Sequence, residues 1–206
     1  MPLPKLPLNS ASIVVGPPLS GKKKLLYKYV LEKTKNKEPV IFLSTDRAPE
    51  EIKKELVKNK IFYGRGLRFI DCYSHQTGNM IPDREDEKRV AGPLALNEIS
   101  IALAEIERSF LKENKTNHLI IFDSLSTILM YSNAEAVSRF IQVLIGKIKS
   151  REGSIMFTIE EGMHDQKTVI TIQHLMDVII NLKKEDEKIM IKVQGIEGFG
   201  DWKELQ

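Results

Sequence analysis

A β-branched apolar run, Ser12-Ile13-Val14-Val15, stops at Gly16, passes four residues, meets Gly21 and enters the lysine-rich segment Lys22-Lys23-Lys24. The spacing G-x-x-x-x-G-K requires a strand, a tight loop and a helix in that order, the arrangement of a phosphate-binding P-loop. Gly16 and Gly21 let Pro17, Pro18, Leu19 and Ser20 wrap with backbone N–H groups turned inward. The helix starting near Lys22 then aims its positive end at the bound anion, and Lys22 is placed to reach the terminal phosphates. Position 23, where a Ser or Thr hydroxyl ordinarily ligates magnesium, is Lys23.

The 206 residues suit one α/β domain, and an apolar content of 42% is enough for a real core. With 31 basic and 28 acidic side chains the net charge is only +3, which argues against a whole-surface nucleic-acid binder. The single cysteine, Cys72, excludes an internal disulfide and reads as a buried thiol in a reducing compartment. No stretch approaches the ~20 apolar residues of a membrane span, and the N-terminus is too short and proline-broken for a signal peptide. The expectation is a soluble, cytoplasmic protein without a membrane partner.

Residues 1–11, with Pro2, Pro4 and Pro7, read as an extended arm whose leucines dock on the domain or on a neighbouring subunit. The domain proper spans 12–196, and 197–206 form a Gly-rich tail carrying Phe199 and Trp202. Apolar runs predict strands at 12–15, 40–44, 67–70, 119–123 and 155–159; periodicity predicts helices over 22–35, 49–59, 94–114 and 134–150. A short helix or turn covers 170–175, and 178–182 and 189–193 pair as an antiparallel hairpin through Glu185-Asp186-Glu187. From 73 to 93 no period holds; the charge-dense run from Pro82 to Arg89 reads as a solvated loop, or as a flap over a ligand or partner. Strands alternating with helices, with near-continuous apolar cores, predict a three-layer α/β/α domain with a mainly parallel sheet and antiparallel C-terminal strands. Ligands of such sheets bind beyond the carboxyl ends of the strands, where Gly16, Asp46, Asp71, Asp123 and Thr158 fall.

Two of these carboxylates suit nucleotide chemistry. Asp123 closes Leu119-Ile120-Ile121-Phe122, as a Walker-B aspartate that holds magnesium through water would; capping a helix is its plain alternative. Asp46 is placed to polarise an attacking water, although its carboxylate lies about 1.3 Å further back than a glutamate's, a displacement to which catalysis is sensitive. Capping the helix that begins at Pro49 is the alternative for Asp46. His75, His118, His164 and His174 lack zinc-ligand spacing, and Ser124 is not at a nucleophile elbow.

The stretches Val15 to Lys22, Thr45 to Ile52, Phe69-Ile70-Asp71, Ile120 to Leu125, His164-Asp165 and Asp177-Val178-Ile179 resemble, in order, the blocks of the KaiC-like and RadA-like ATPases of the RecA superfamily. The resemblance implies a RecA-type core that binds ATP and magnesium, with nucleotide often held at subunit boundaries of rings or filaments. It also implies a homo-oligomer or a recombinase as partner, since archaeal members include single-domain recombinase paralogues linked to DNA repair.

The departures from that pattern matter equally. Leu19 replaces the middle glycine of the loop and Lys23 its hydroxyl residue. Asp46 and Arg47 stand where KaiC-like proteins carry two adjacent glutamates, and Gln194 replaces an arginine that reaches a neighbour's γ-phosphate. A trans arginine contributes orders of magnitude in rate. A lysine in the metal's place repels a divalent cation, since two unit charges ~4 Å apart interact by ~4 kcal/mol at an effective dielectric of about 20. The reading is an ATP-binding domain with weak or absent ATPase activity; the alternative is a non-catalytic scaffold that binds a protein partner. DNA binding rests on the basic cluster Arg47, Lys53, Lys54, Lys58, Lys60, Arg65 and Arg68, against an acidic segment at 160–167.

Overall fold

The computed structural model describes residues 3–78, 83–196 and 200–205; Met1, Pro2, Pro82 and Phe199 lie outside the described residues, as does the Arg65 side chain. The elements follow as β1 (Ala11–Gly16), α1 (Lys22–Lys35), β2 (Val40–Ser44), α2 (Pro49–Lys58), β3 (Leu67–Asp71), β4 (Glu87–Arg89), α3 (Leu96–Lys112), β5 (Leu119–Asp123), α4 (Leu125–Tyr131), α5 (Ala134–Lys149), β6 (Ser154–Glu160), α6 (Gln166–Gln173), β7 (Val178–Glu185), β8 (Lys188–Gln194) and β9 (Lys203–Glu204). The sheet runs β4-β3-β2-β5-β6-β1-β7-β8-β9. It is parallel from β4 to β7 and antiparallel at β8 and β9.

Strand side chains alternate between two cores. Ile13, Val15, Ile120 and Phe122 face α3, α4, α5 and α6, whereas Val14, Leu119 and Ile121 face α1 and α2. Full burial of such a side chain contributes about 1.5–3 kcal/mol, so strands apolar on both faces are stable only when helices cover both. The three-layer α/β/α architecture follows.

The N-terminal arm docks on its own domain. Leu3 and Leu6 pack against the core beneath α1 and α2, and the buried Tyr29 hydroxyl donates to Pro4 O at 2.7 Å. The β7–β8 hairpin turns through Asp186 and Glu187, both with positive φ, as a two-residue hairpin of the primed type requires.

Four features differ from the sequence expectation. The last three residues of the charged run, Glu87–Arg89, form edge strand β4 in parallel register with β3, held by ion pairs rather than apolar burial. Arg89 pairs with Asp71 and Glu87, and Lys53 on α2 pairs with Asp86 and Glu87. Helix α4 follows β5 directly, capped by Ser124 Oγ accepting from Ser126 N. Helix α6 starts at Gln166 rather than 170, because Asp165 caps it by accepting from Thr168 N at 2.9 Å. The tail pairs β9 with β8, and Lys183 stacks 4.2 Å above the Trp202 ring.

Candidate phosphate-binding site

Strand β1 delivers the chain into the loop at Gly16, whose neighbours leave no space for a side chain. A Cβ there would come within 2.6 Å of Ser20 Oγ and 2.7 Å of Leu182 O. A turn closed by Ser20 N donating to Pro17 O at 3.2 Å follows. Leu19 takes φ 64 and Gly21 φ 96, so Leu19 adopts the left-handed backbone that favours glycine, with its side chain 93% exposed. Helix α1 then starts without a side-chain cap. Its first-turn N–H groups have no intrahelical acceptors, and with the helix dipole they make an anion-binding end.

Lys22 is buried at the mouth of this loop. Its ammonium donates to Gly16 O and Pro17 O, both at 2.7 Å, and to Glu160 Oε2 at 2.8 Å. Strands β1 and β6 are neighbours with Gly16 opposite Glu160, which sets the carboxylate beside the lysine. The chain sequence marks Glu160 only as an acid ending a strand; the strand order makes it the partner of Lys22.

Two positions from the loop strand, β5 ends at Asp123. Thr158 of β6 donates to Asp123 Oδ1 at 2.6 Å, and Arg47, following β2, donates through Nη2 to Asp123 Oδ2 at 3.1 Å. Thr45 fastens the two strand ends together: its amide donates to Asp123 O at 2.8 Å, and its hydroxyl accepts from Ser124 N at 2.8 Å. The Asp123–Ser124 peptide is cis. Arg47 also pairs through Nη1 with Glu55 Oε2 at 3.2 Å, and lies 3.3 Å from the Tyr27 hydroxyl. That hydroxyl in turn donates to Glu55.

Asp46 stands on the outer side of the same guanidinium, with Oδ1 3.7 Å from Arg47 Nε. Burial, and next the Asp123 carboxylate, push its carboxyl up to about 6, against the pull of Arg47 and Lys23. It does not cap α2, whose N-cap is Ala48 with no side-chain hydrogen bond. Lys23 turns its ammonium to Glu55 Oε1, 3.5 Å away on α2, with a side chain 55% exposed. The cation paired with Asp123 is therefore Arg47, where the sequence pointed to Lys23 as the group opposing magnesium.

These residues do not fit a magnesium ion. Position 23 offers no hydroxyl, both Asp123 oxygens are engaged, and the Arg47 guanidinium already pairs with the Asp123 carboxylate. Among the described residues no group of three or more His, Cys, Asp or Glu side chains is arranged to hold a metal. The loop, in contrast, fits a phosphate chain: uncapped amides, a lysine and a left-handed turn converge on one end of the sheet.

The other residues that the sequence singles out lie in different neighbourhoods. Asp71 is fully buried and accepts from Tyr73 N and Ser74 N, both at 2.9 Å, so it organises the turn after β3. Gln194 and Lys192 line a cleft at the hairpin with Asn181, Lys183 and Trp202. The basic cluster is partly consumed by ion pairs of Arg47, Lys53 and Arg68. His118 is buried against Glu107 at 3.0 Å, and Cys72 is a buried thiol whose pKa burial pushes up.

A family model described as a family of unknown function, DUF7504, matches residues 10–182. No curated protein matches the chain. Among solved structures, the uncharacterized protein PH0321 from Pyrococcus horikoshii, crystallised in complex with an unknown peptide, superposes with a TM-score of 0.71 at 14% identity. The match covers 92% of this chain and 84% of that one, and at this identity it is a likeness of fold. No helix among the described residues is long and apolar enough to cross a membrane.

Proposed function

The chain belongs to the DUF7504 family of unknown function, and from its site we propose that it is an ATP-binding domain of RecA-like, KaiC- and RadA-related type with weak or absent ATPase activity. The observation that carries this reading is the loop conformation. Leu19 holds φ 64 without being glycine, and α1 begins uncapped directly behind it. Adopting a left-handed backbone costs a leucine about 1–2 kcal/mol, a cost the loop bears in a shape suited to wrapping phosphate. Weak hydrolysis fits the missing glutamates, the set-back Asp46 and the absence, among the described residues, of a magnesium-fitting donor set.

Calorimetric titration with ATP tests the reading. Binding in the micromolar range that is lost in Lys22→Ala supports it, as does turnover far below that of active P-loop ATPases. Binding absent up to millimolar ATP would sink it, and brisk Lys22-dependent hydrolysis would sink the weak-activity half.

The second reading is a RecA-like scaffold that binds a protein. It is favoured by the pairing of Lys22 with Glu160 and of Arg47 with Asp123, which satisfy the site from within. The peptide recorded with PH0321 leans the same way. A place as a recombinase paralogue in DNA repair, assembled with itself or with a recombinase, rests on the sequence resemblance alone. Ion pairing of the basic cluster adds nothing to DNA binding.

A further inference from the structure

Three carboxylates and a phenol meet at the Arg47 guanidinium. Nη2 lies 3.1 Å from Asp123 Oδ2, Nη1 3.2 Å from Glu55 Oε2, and Nε 3.7 Å from Asp46 Oδ1, while the Tyr27 hydroxyl touches Nη1 at 3.3 Å. Its side chain is only 12% exposed. An arginine fork is planar, permanently charged and able to serve several carboxylates at fixed angles. A divalent cation bound at the end of β5 would have to meet Asp123 where this fork already sits.

A second observation is that one N–H of this fork is not satisfied by its carboxylates. Arg47 Nε is buried and has no hydrogen-bond acceptor, the Asp46 oxygen being too distant. A buried N–H left without an acceptor is costly, and this one faces Asp46, whose surroundings also include the charge of Lys23. Tyr27, which touches Arg47, lies one turn beyond Lys23 on α1, the helix that leaves the loop.

We propose that the Arg47 guanidinium is a built-in replacement for the divalent cation, so that this site takes a nucleoside polyphosphate as the metal-free anion. The proposal rests on the nucleotide reading above for its ligand, but not for the place of Arg47. Removing Arg47 would leave Asp123, Glu55 and Asp46 bordering the space its guanidinium fills, with Lys23 still 3.5 Å from Glu55. Such a carboxylate cluster repels a phosphate and attracts a cation, so its preference for metal and nucleotide should invert.

Manganese binding to the protein alone, followed by electron paramagnetic resonance, tests the replacement without any nucleotide. Wild type should bind no manganese below millimolar, and Arg47→Ser should gain a site at least tenfold tighter that disappears in Arg47→Ser/Asp123→Asn. Manganese held by wild type and lost in Asp123→Asn overturns the proposal, as does a folded Arg47→Ser that gains no site. Arg47→Gln, closer in length, serves the same comparison if the serine variant loses its circular-dichroism signature. ATP affinity of wild type, measured with EDTA and with excess magnesium, tests the ligand: affinity equal or higher in EDTA supports it, and tenfold tightening by magnesium overturns it. Absence of ATP binding in both buffers overturns the nucleotide reading and the ligand named here, while the manganese experiment still judges Arg47 by itself.

Discussion

Glu160 holds the Lys22 ammonium 2.8 Å from its carboxylate, across the carboxyl ends of two adjacent strands. The lysine side chain is 10% exposed and the glutamate 29%, so the pair is partly shielded from water and screened less than a surface pair. A phosphate entering the loop must compete with Glu160 for the same ammonium.

Glu160→Gln should therefore tighten ATP binding. A partly exposed ion pair is worth about 1 kcal/mol, which corresponds to roughly fivefold in affinity. Calorimetric titration of the two proteins in one buffer checks it, and unchanged or weaker binding by the variant counts against the competition.

Leu19 reports on the loop backbone. At φ 64 with an exposed side chain, it has steric cost and little packing to offset it. Leu19→Gly should raise stability by about 0.5–1 kcal/mol, and Leu19→Val, β-branched at positive φ, should lower it by about 1 kcal/mol or more. Urea unfolding of the three proteins gives the order directly; valine matching glycine would contradict the left-handed backbone.

Asp71 anchors the sheet edge. It is fully buried, accepts two backbone amides and pairs with Arg89 at 3.3 Å. Asp71→Ala should cost about 3–5 kcal/mol, the range for breaking a buried charge pair. Hydrogen exchange should show protection lost first in β4, where the strand is held by these polar contacts. A loss under 1 kcal/mol would mean that Arg89 is satisfied without Asp71.

Asp177 gives a pH signature. Partial burial pushes its carboxyl up, but the Ala11 amide at 2.7 Å and the Lys149 ammonium at 2.6 Å outweigh it, and the pKa is held below the ordinary aspartate value. A carboxyl depressed in the folded state contributes stability above its unfolded pKa of about 4 and loses it as the pH falls through the folded value. Asp177→Asn should melt below wild type at pH 7, with the difference closing below about pH 4. Melting curves from pH 3 to 8 decide; a gap that is constant with pH removes the titration from the account.

The parts of the fold legible from residues alone were those whose burial is apolar. Strands β1, β2 and β5 carry side chains that are apolar on both faces, and α3 and α5 carry one apolar stripe each, so period and composition sufficed. Strand β4 reads Glu-Lys-Arg and carries no such signal, because ion pairs to α2 and β3 hold it. Helix α4, at seven residues, is too short for a period to emerge.

The chain sequence by itself determined the layered α/β architecture and the loop between Gly16 and Gly21, because both depend on local spacing and on which side chains avoid water. It did not determine what surrounds the Asp123 carboxylate. That was decided by the strand order β2-β5-β6-β1, which brings Arg47, Asp123, Glu160 and Lys22 to one end of the sheet from four separate segments. Ion pairs have a range of a few ångströms, so which charges meet depends on where the strands end in space, and only tertiary packing sets that.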